Sequence, residues 1–194
     1  QSYTLGVDNN RYYYPASTVK MPTAFMALEK LNQLNLINLN KETPMRNGSG
    51  RSPQTTASMD VTAEHLLPSV AHYIKKIFVV SDNDAFNRLY EFIGQQDLNE
   101  GLRAKGFEDT RILHRLSVSG FDVEGNRYTN PVSFYHNDKL LYHQGQRYSF
   151  DAKEWNLKDA VRGVGRMTND GAIVNETFDF RYKNFIDIQD LHDM

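Results

Sequence analysis

The chain has 194 residues, 40% hydrophobic and 24% charged, an ordinary composition for one globular domain with a real core. A net charge of −2 gives no electrostatic reason to expect nucleic acid or an anionic membrane as partner. The lack of cysteine excludes disulfides, thiolate metal sites and cysteine nucleophiles, and no run approaches the roughly 20 apolar residues that span a bilayer.

Gln1 is not followed by a basic and then apolar leader, so no signal peptide is read in the chain. Residues 2–14 read as extended: Tyr3, Leu5 and Val7 alternate, Asp8-Asn9-Asn10 make a turn, and Tyr12-Tyr13-Tyr14 favour a strand that Pro15 stops. From Ser17 to about Leu36 the pattern turns helical, with Phe25, Leu28, Leu31 and Leu34 spaced by three and Pro22 tolerated in the first turn. Residues 40–60, rich in Gly, Ser, Thr and Pro, read as a long surface loop. Thr62 is the expected N-cap of a second helix burying Leu66, Leu67, Val70, Ala71 and Ile74. Phe78-Val79-Val80 leads into Ser81, and Asp82 or Asn83 caps a third helix ended by Gly94. A short fourth helix, about 95–104, ends at Gly106.

Beyond Ile112-Leu113 the character changes. Residues 117–183 read as a large irregular insertion with one hairpin, from Val132–Tyr135 to Lys139–Tyr142. Helical character returns at 186–191 and the chain stops in mid-pattern at Met194, which suggests truncation. The expectation is an α+β chain of one domain, 1–194, mainly helical, with a short N-terminal β segment and that insertion.

Two short motifs stand out. Ser17-Thr18-Val19-Lys20 places a lysine three residues after a serine, and Ser81-Asp82-Asn83 follows 61 residues after that lysine. With 11 Ser and 10 Lys, chance supplies about 0.6 Ser-x-x-Lys matches, so the first motif alone says little. Ser-Asp-Asn is expected only about 0.07 times, and the order and spacing tighten the match.

Positions three apart share a helix face, so Ser17 and Lys20 can enter one pocket. A serine hydroxyl needs a base, and a lysine serves only if burial depresses its pKa; Pro15, Ala16, Val19 and Met21 supply apolar surroundings. Ser81 can relay a proton to a leaving nitrogen, Asn83 can hold a substrate carbonyl or the lysine amine, and Asp82 is expected to cap the next helix.

Tyr14–Pro22 with Val79–Ala85 resembles the class A β-lactamase-related serine hydrolases, over roughly residues 2–115. The resemblance implies a helical domain packed on an antiparallel sheet, with the site between them. It implies Ser17 as the acylated nucleophile, Lys20 as its base, Ser81 as proton shuttle and Asn83 as substrate contact. It also implies a periplasmic or secreted location and a β-lactam or peptide-like amide or ester as substrate, without cofactor or metal. Two departures follow. The Arg-x-Glu pattern that supplies the deacylating glutamate aligns with Arg115-Leu116-Ser117, which leaves Asp122 and Glu124 as weak substitutes. The family's Lys-Thr-Gly strand is absent, since none of the 12 glycines follows Lys-Thr or Lys-Ser.

Blander readings compete. Ser17 can be a simple helix cap, Lys20 a solvated lysine and Ser-Asp-Asn a capping turn. The six histidines (65, 72, 114, 136, 143 and 192) lack metal-ligand spacing and read as surface or packing residues. The expectation is therefore a serine hydrolase acting through an acyl-enzyme. Its alternatives are a non-catalytic or slowly deacylating penicillin-binding or cell-wall recognition module, and a plain helical interaction domain.

Overall fold

A computed structural model of the chain describes residues 5–8, 10–153, 157–168 and 170–194. Four helices make one layer: α1 (Lys20–Leu34, entered through a 3-10 turn at Ala16–Val19), α2 (Val70–Val80), α3 (Asn83–Ile93) and α4 (Gln95–Ala104). Beside them stands an antiparallel sheet in the order β1 (Met45–Asn47), β3 (Val132–His136), β4 (Lys139–Gln144). Between β1 and β3 the chain runs through α5 (Val123–Arg127) and β2 (Tyr128–Thr129), and β2 pairs with β5 (Arg147–Tyr148). The architecture is α+β.

The layers share one core. Phe86, Leu89, Tyr90 and Ile93 of α3 are buried with Ala27 and Leu31 of α1, Tyr73 and Ile77 of α2, and Val132 and Phe134 of β3. Phe92 meets Phe134 edge-on, ring centroids 5.1 Å apart, which locks α3 to the sheet. The hairpin expected within 117–183 therefore contributes core residues to the helical layer rather than hanging from it. Beyond β5 the order loosens into a narrow ribbon: β6 (Val161–Arg162) pairs with β9 (Phe178–Asp179), and β7 (Arg166–Met167) with β8 (Ile173–Val174). The chain then packs Ile186 into the main core and forms α6 (Ile188–Asp193), capped by Asp187.

Several expectations are corrected. Residues 2–4 and 9 lie outside the described residues; the rest of 2–14 makes no strand, only an isolated parallel bridge from Arg11 to Lys158. Tyr12 is buried there by stacking on Phe180 and Phe185, so its strand-like composition served packing. Phe25 is 51% exposed. A spacing of three drifts about 60° per step around an α-helix, so Phe25 and Leu34 cannot share a face, and the buried stripe runs instead through Ala24, Ala27 and Leu31. The loop at 40–60 contains β1, whose Met45 is fully buried. Thr62 does not cap a helix; α2 starts after Ser69, whose hydroxyl accepts the His72 N–H at 3.2 Å. Pro68 explains the delay, because it disfavours helical backbone at Leu67. His65 and Leu66 take left-handed φ of 53° and 62°, which breaks the expected helical run.

Candidate active site

Three chain termini of helical segments converge. Ser17 lies in the 3-10 turn that feeds α1, where the Thr18 N–H already donates to the Pro15 carbonyl at 3.0 Å, and Lys20 is the first residue of α1. Ser81 is the left-handed C-cap of α2 (φ 54°), and Asp82 at once caps α3 by accepting the Ala85 N–H at 2.8 Å. This back-to-back cap reverses the chain within two residues and turns both the carbonyl and the hydroxyl of Ser81 toward α1.

Lys20 is the hub. Its side chain enters between the helices, leaving the residue 3% exposed. The Nζ atom donates to Ser17 Oγ at 3.1 Å, Ser81 Oγ at 3.0 Å and the Ser81 carbonyl at 2.5 Å. Burial pulls the Lys20 amine below the ordinary lysine value, opposed by the negative charge of Asp82. Both serines remain exposed, so their hydroxyls are accessible while the Lys20 amine behind them is buried. Ala16, immediately before Ser17, also holds a left-handed φ of 45°, so two non-glycine residues at this cluster carry strained backbone.

Asn83, in the first turn of α3, donates from Nδ2 to Ser117 Oγ at 2.8 Å. Ser117 is itself left-handed (φ 50°) and held from below by Asn87, four residues along α3 from Asn83. Asn87 Oδ1 accepts the Leu116 N–H at 2.8 Å and its Nδ2 donates to the Leu116 carbonyl at 2.9 Å. Arg115 then anchors the segment by ion pairing at 2.9 Å with buried Glu91 of α3, which Arg88 also contacts at 3.1 Å. The sequence signalled this segment only through the alignment of Arg115-Leu116-Ser117 with the Arg-x-Glu pattern; the supporting role of Asn87, 5% exposed and four residues after Asn83, was not read from it.

The two weak candidates sit elsewhere. Asp122 caps α5, accepting the Gly125 N–H at 2.6 Å, and lines a cavity with His114 and Arg127. Glu124 is exposed, 3.9 Å from Arg127. Among the described residues neither carboxylate has a hydrogen bond to Ser17, Lys20, Ser81 or Asn83. Among the same residues, no three His, Asp or Glu side chains converge as metal ligands would, and no helix is long and apolar enough to cross a membrane.

No curated protein and no solved structure matches the chain. A family model described as "Beta-lactamase enzyme family" matches residues 1–157, a span that contains every side chain of the Ser-Lys-Ser cluster as well as the Asn83–Ser117 contact. The chain therefore belongs to the beta-lactamase enzyme family.

Proposed function

We propose that the chain is a class A-like serine hydrolase domain that forms an acyl-enzyme at Ser17 with a β-lactam or a peptide-like amide or ester. The observation that carries this reading is one buried amine within 3.1 Å of two exposed serine hydroxyls. A neutral Lys20 keeps N–H donors for the Ser81 carbonyl and hydroxyl and offers its lone pair to the Ser17 hydroxyl.

In the proposed reaction Lys20 Nζ takes the Ser17 proton while Oγ bonds to the substrate carbonyl carbon. The oxyanion of the tetrahedral intermediate is met by the backbone N–H of Ser17 at the start of the helical segment. When the C–N bond breaks, the leaving nitrogen takes the Ser81 hydroxyl proton, and the Lys20 ammonium returns its extra proton to Ser81. The products are the Ser17 ester and the freed amine, with lysine neutral again. Asn83, oriented by Ser117, presents its carboxamide oxygen to a substrate N–H. The substrate chemistry suits a periplasmic or secreted setting.

A second reading is favoured by one observation. The residue that touches Asn83 from the 115–117 segment is Ser117, whose hydroxyl stands where the family resemblance expects the deacylating glutamate. With a serine in place of that glutamate, and with Asp84 and Glu91 nearby both paired to Arg88, the ester at Ser17 is long-lived and the chain works as a penicillin-binding or cell-wall recognition module. A fluorescent penicillin tests both readings at once. Covalent labelling is expected in the wild type, lost in Ser17→Ala and slowed at least about 100-fold in Lys20→Ala. Labelling that survives in Ser17→Ala assigns the nucleophile elsewhere.

A further inference from the structure

Lys20 is the innermost member of a row of alternating charges. Asp82, at the head of α3 and next in the chain to the Ser81 that Lys20 contacts, opposes the effect of burial on the Lys20 amine through its charge. The other oxygen of Asp82 lies 3.3 Å from Lys76 Nζ, on the last full turn of α2. Lys76 also donates to Asp60 Oδ2 at 2.8 Å. Asp60 is held in turn by the Thr62 hydroxyl at 2.7 Å and its N–H at 2.9 Å, and by His72 Nε2 at 3.1 Å. The ion-paired side chains are largely withdrawn from water, with Lys76 21%, Asp60 14% and Asp82 25% exposed, while Thr62 at the outer end is exposed. Asp84, the next acid on α3, is spent on Arg88 at 2.9 Å and does not join the row.

We propose that Lys76 is a positioning residue for the acylation step: by pairing with Asp82 it prevents that carboxylate from holding Lys20 in its protonated, non-basic form. This rests on the proposed role of Lys20 but concerns a residue that touches neither serine. The geometry demands some such partner. Asp82 caps α3 with a carboxylate oxygen, and an unpaired carboxylate near a buried amine favours the protonated form that the amine has to leave. Lys76 resolves the conflict, and Asp60 anchors it. Although burial alone disfavours a charged Lys76, the hydrogen bonds and charges of Asp60 and Asp82 hold its amine above the ordinary lysine value, so it stays cationic while Lys20 releases its proton.

The charged groups facing Lys20 are thus Asp82 from α3 and, behind it, Lys76 from α2, with Asp60 and His72 in the outer layer. Removing the Lys76 charge raises the pH at which Lys20 becomes neutral by roughly half a unit to one unit, the range expected for one screened, part-buried charge. Acylation at neutral pH then falls roughly 3- to 10-fold, and recovers as the pH is raised.

The experiment uses two readouts on the whole chain. The first follows the 13Cε signals of labelled lysines against pH, with Lys20→Met identifying the Lys20 resonance. The second is the pH profile of acylation by a fluorescent penicillin. Lys76→Met should move the Lys20 titration and the acid limb of acylation upward together. Lys76→Arg should leave both at their wild-type positions, and in an Asp82→Asn background Lys76→Met should have a much smaller effect. The proposal is overturned if Lys76→Met slows acylation equally at every pH with the Lys20 titration unmoved, or if Lys76→Arg shifts it as far as Lys76→Met. Were Ser17 never acylated, the proposed function would fall, while the 13C titration would still decide the role of Lys76 by itself.

Discussion

Ser81 carries a hydroxyl in a backbone conformation that favours glycine. Its φ of 54° and ψ of 43° place it in the left-handed region at the junction of α2 and α3, where a Cβ costs roughly 1–2 kcal/mol and glycine costs nothing. The contrast between Ser81→Ala and Ser81→Gly isolates that cost. Both variants lose the 3.0 Å bond from Lys20 Nζ to Ser81 Oγ, worth about 1 kcal/mol, and both keep the bond to the Ser81 carbonyl. Alanine retains the backbone strain. Glycine relieves it, less about 0.5–1 kcal/mol for the greater freedom of the unfolded chain. Ser81→Gly should therefore be more stable than Ser81→Ala by about 0.5–1 kcal/mol, which for a chain of this size is about 1–4 °C in Tm. Acylation, by contrast, should fall at least about 100-fold in both, since the proton relay is gone. Thermal melts and labelling rates on the two variants give the answer. A glycine variant no more stable than the alanine one refutes the strain argument, and undiminished labelling refutes the shuttle.

Further outcomes follow from the same geometry. Ser117→Glu places a carboxylate beside Asn83, and the lifetime of a penicillin adduct should shorten by about tenfold or more, read as the rate of label loss. Asn87→Ala removes both bonds to the Leu116 backbone and leaves those groups poorly satisfied, costing about 1–3 kcal/mol in urea unfolding and loosening the Ser117 segment. Lys30 donates to the Phe92 and Ile93 carbonyls at 2.9 Å and to Gln144 Oε1 at 2.7 Å, and burial, aided by Arg147, pulls its amine down to about 8. Between that pH and about 10.4 the unfolded chain binds the proton more tightly, so stability should rise with pH through this window. Urea unfolding at pH 7.5 and 10 should show that rise shrinking in Lys30→Met; an equal rise in both proteins contradicts the assignment.

What could be read in the sequence, and what could not, divides along physical lines. The Ser17–Lys20 pair rests on i, i+3 spacing within one helical start, and Ser81 to Asn83 on a cap between two helices; both are local signals, and the structure brings the two segments together. Asp82 was legible as a cap because the next element begins at once. The α2 start was missed because Thr62 has the right chemistry for a cap while Pro68, six residues later, decides where helical backbone can begin. The strand at Met45–Asn47 escaped notice because three residues are too few to show alternation. Ser117 was marked only as the position where the aligned Arg-x-Glu pattern lacks its glutamate, and Lys76 and Asp60 carry no spacing signal: only the packing of α1 against α2 and α3 places them near the cluster.

The central claim is that Ser17 becomes covalently acylated and stays so. Intact mass spectrometry after mixing with a penicillin, followed by peptide mapping over hours, tests it directly. The account predicts a single adduct of the full penicillin mass, mapped to the peptide containing Ser17, absent in Ser17→Ala and decaying slowly. Rapid multiple turnover would contradict the slow decay, and an adduct on another residue, or none in the wild type, would contradict the account.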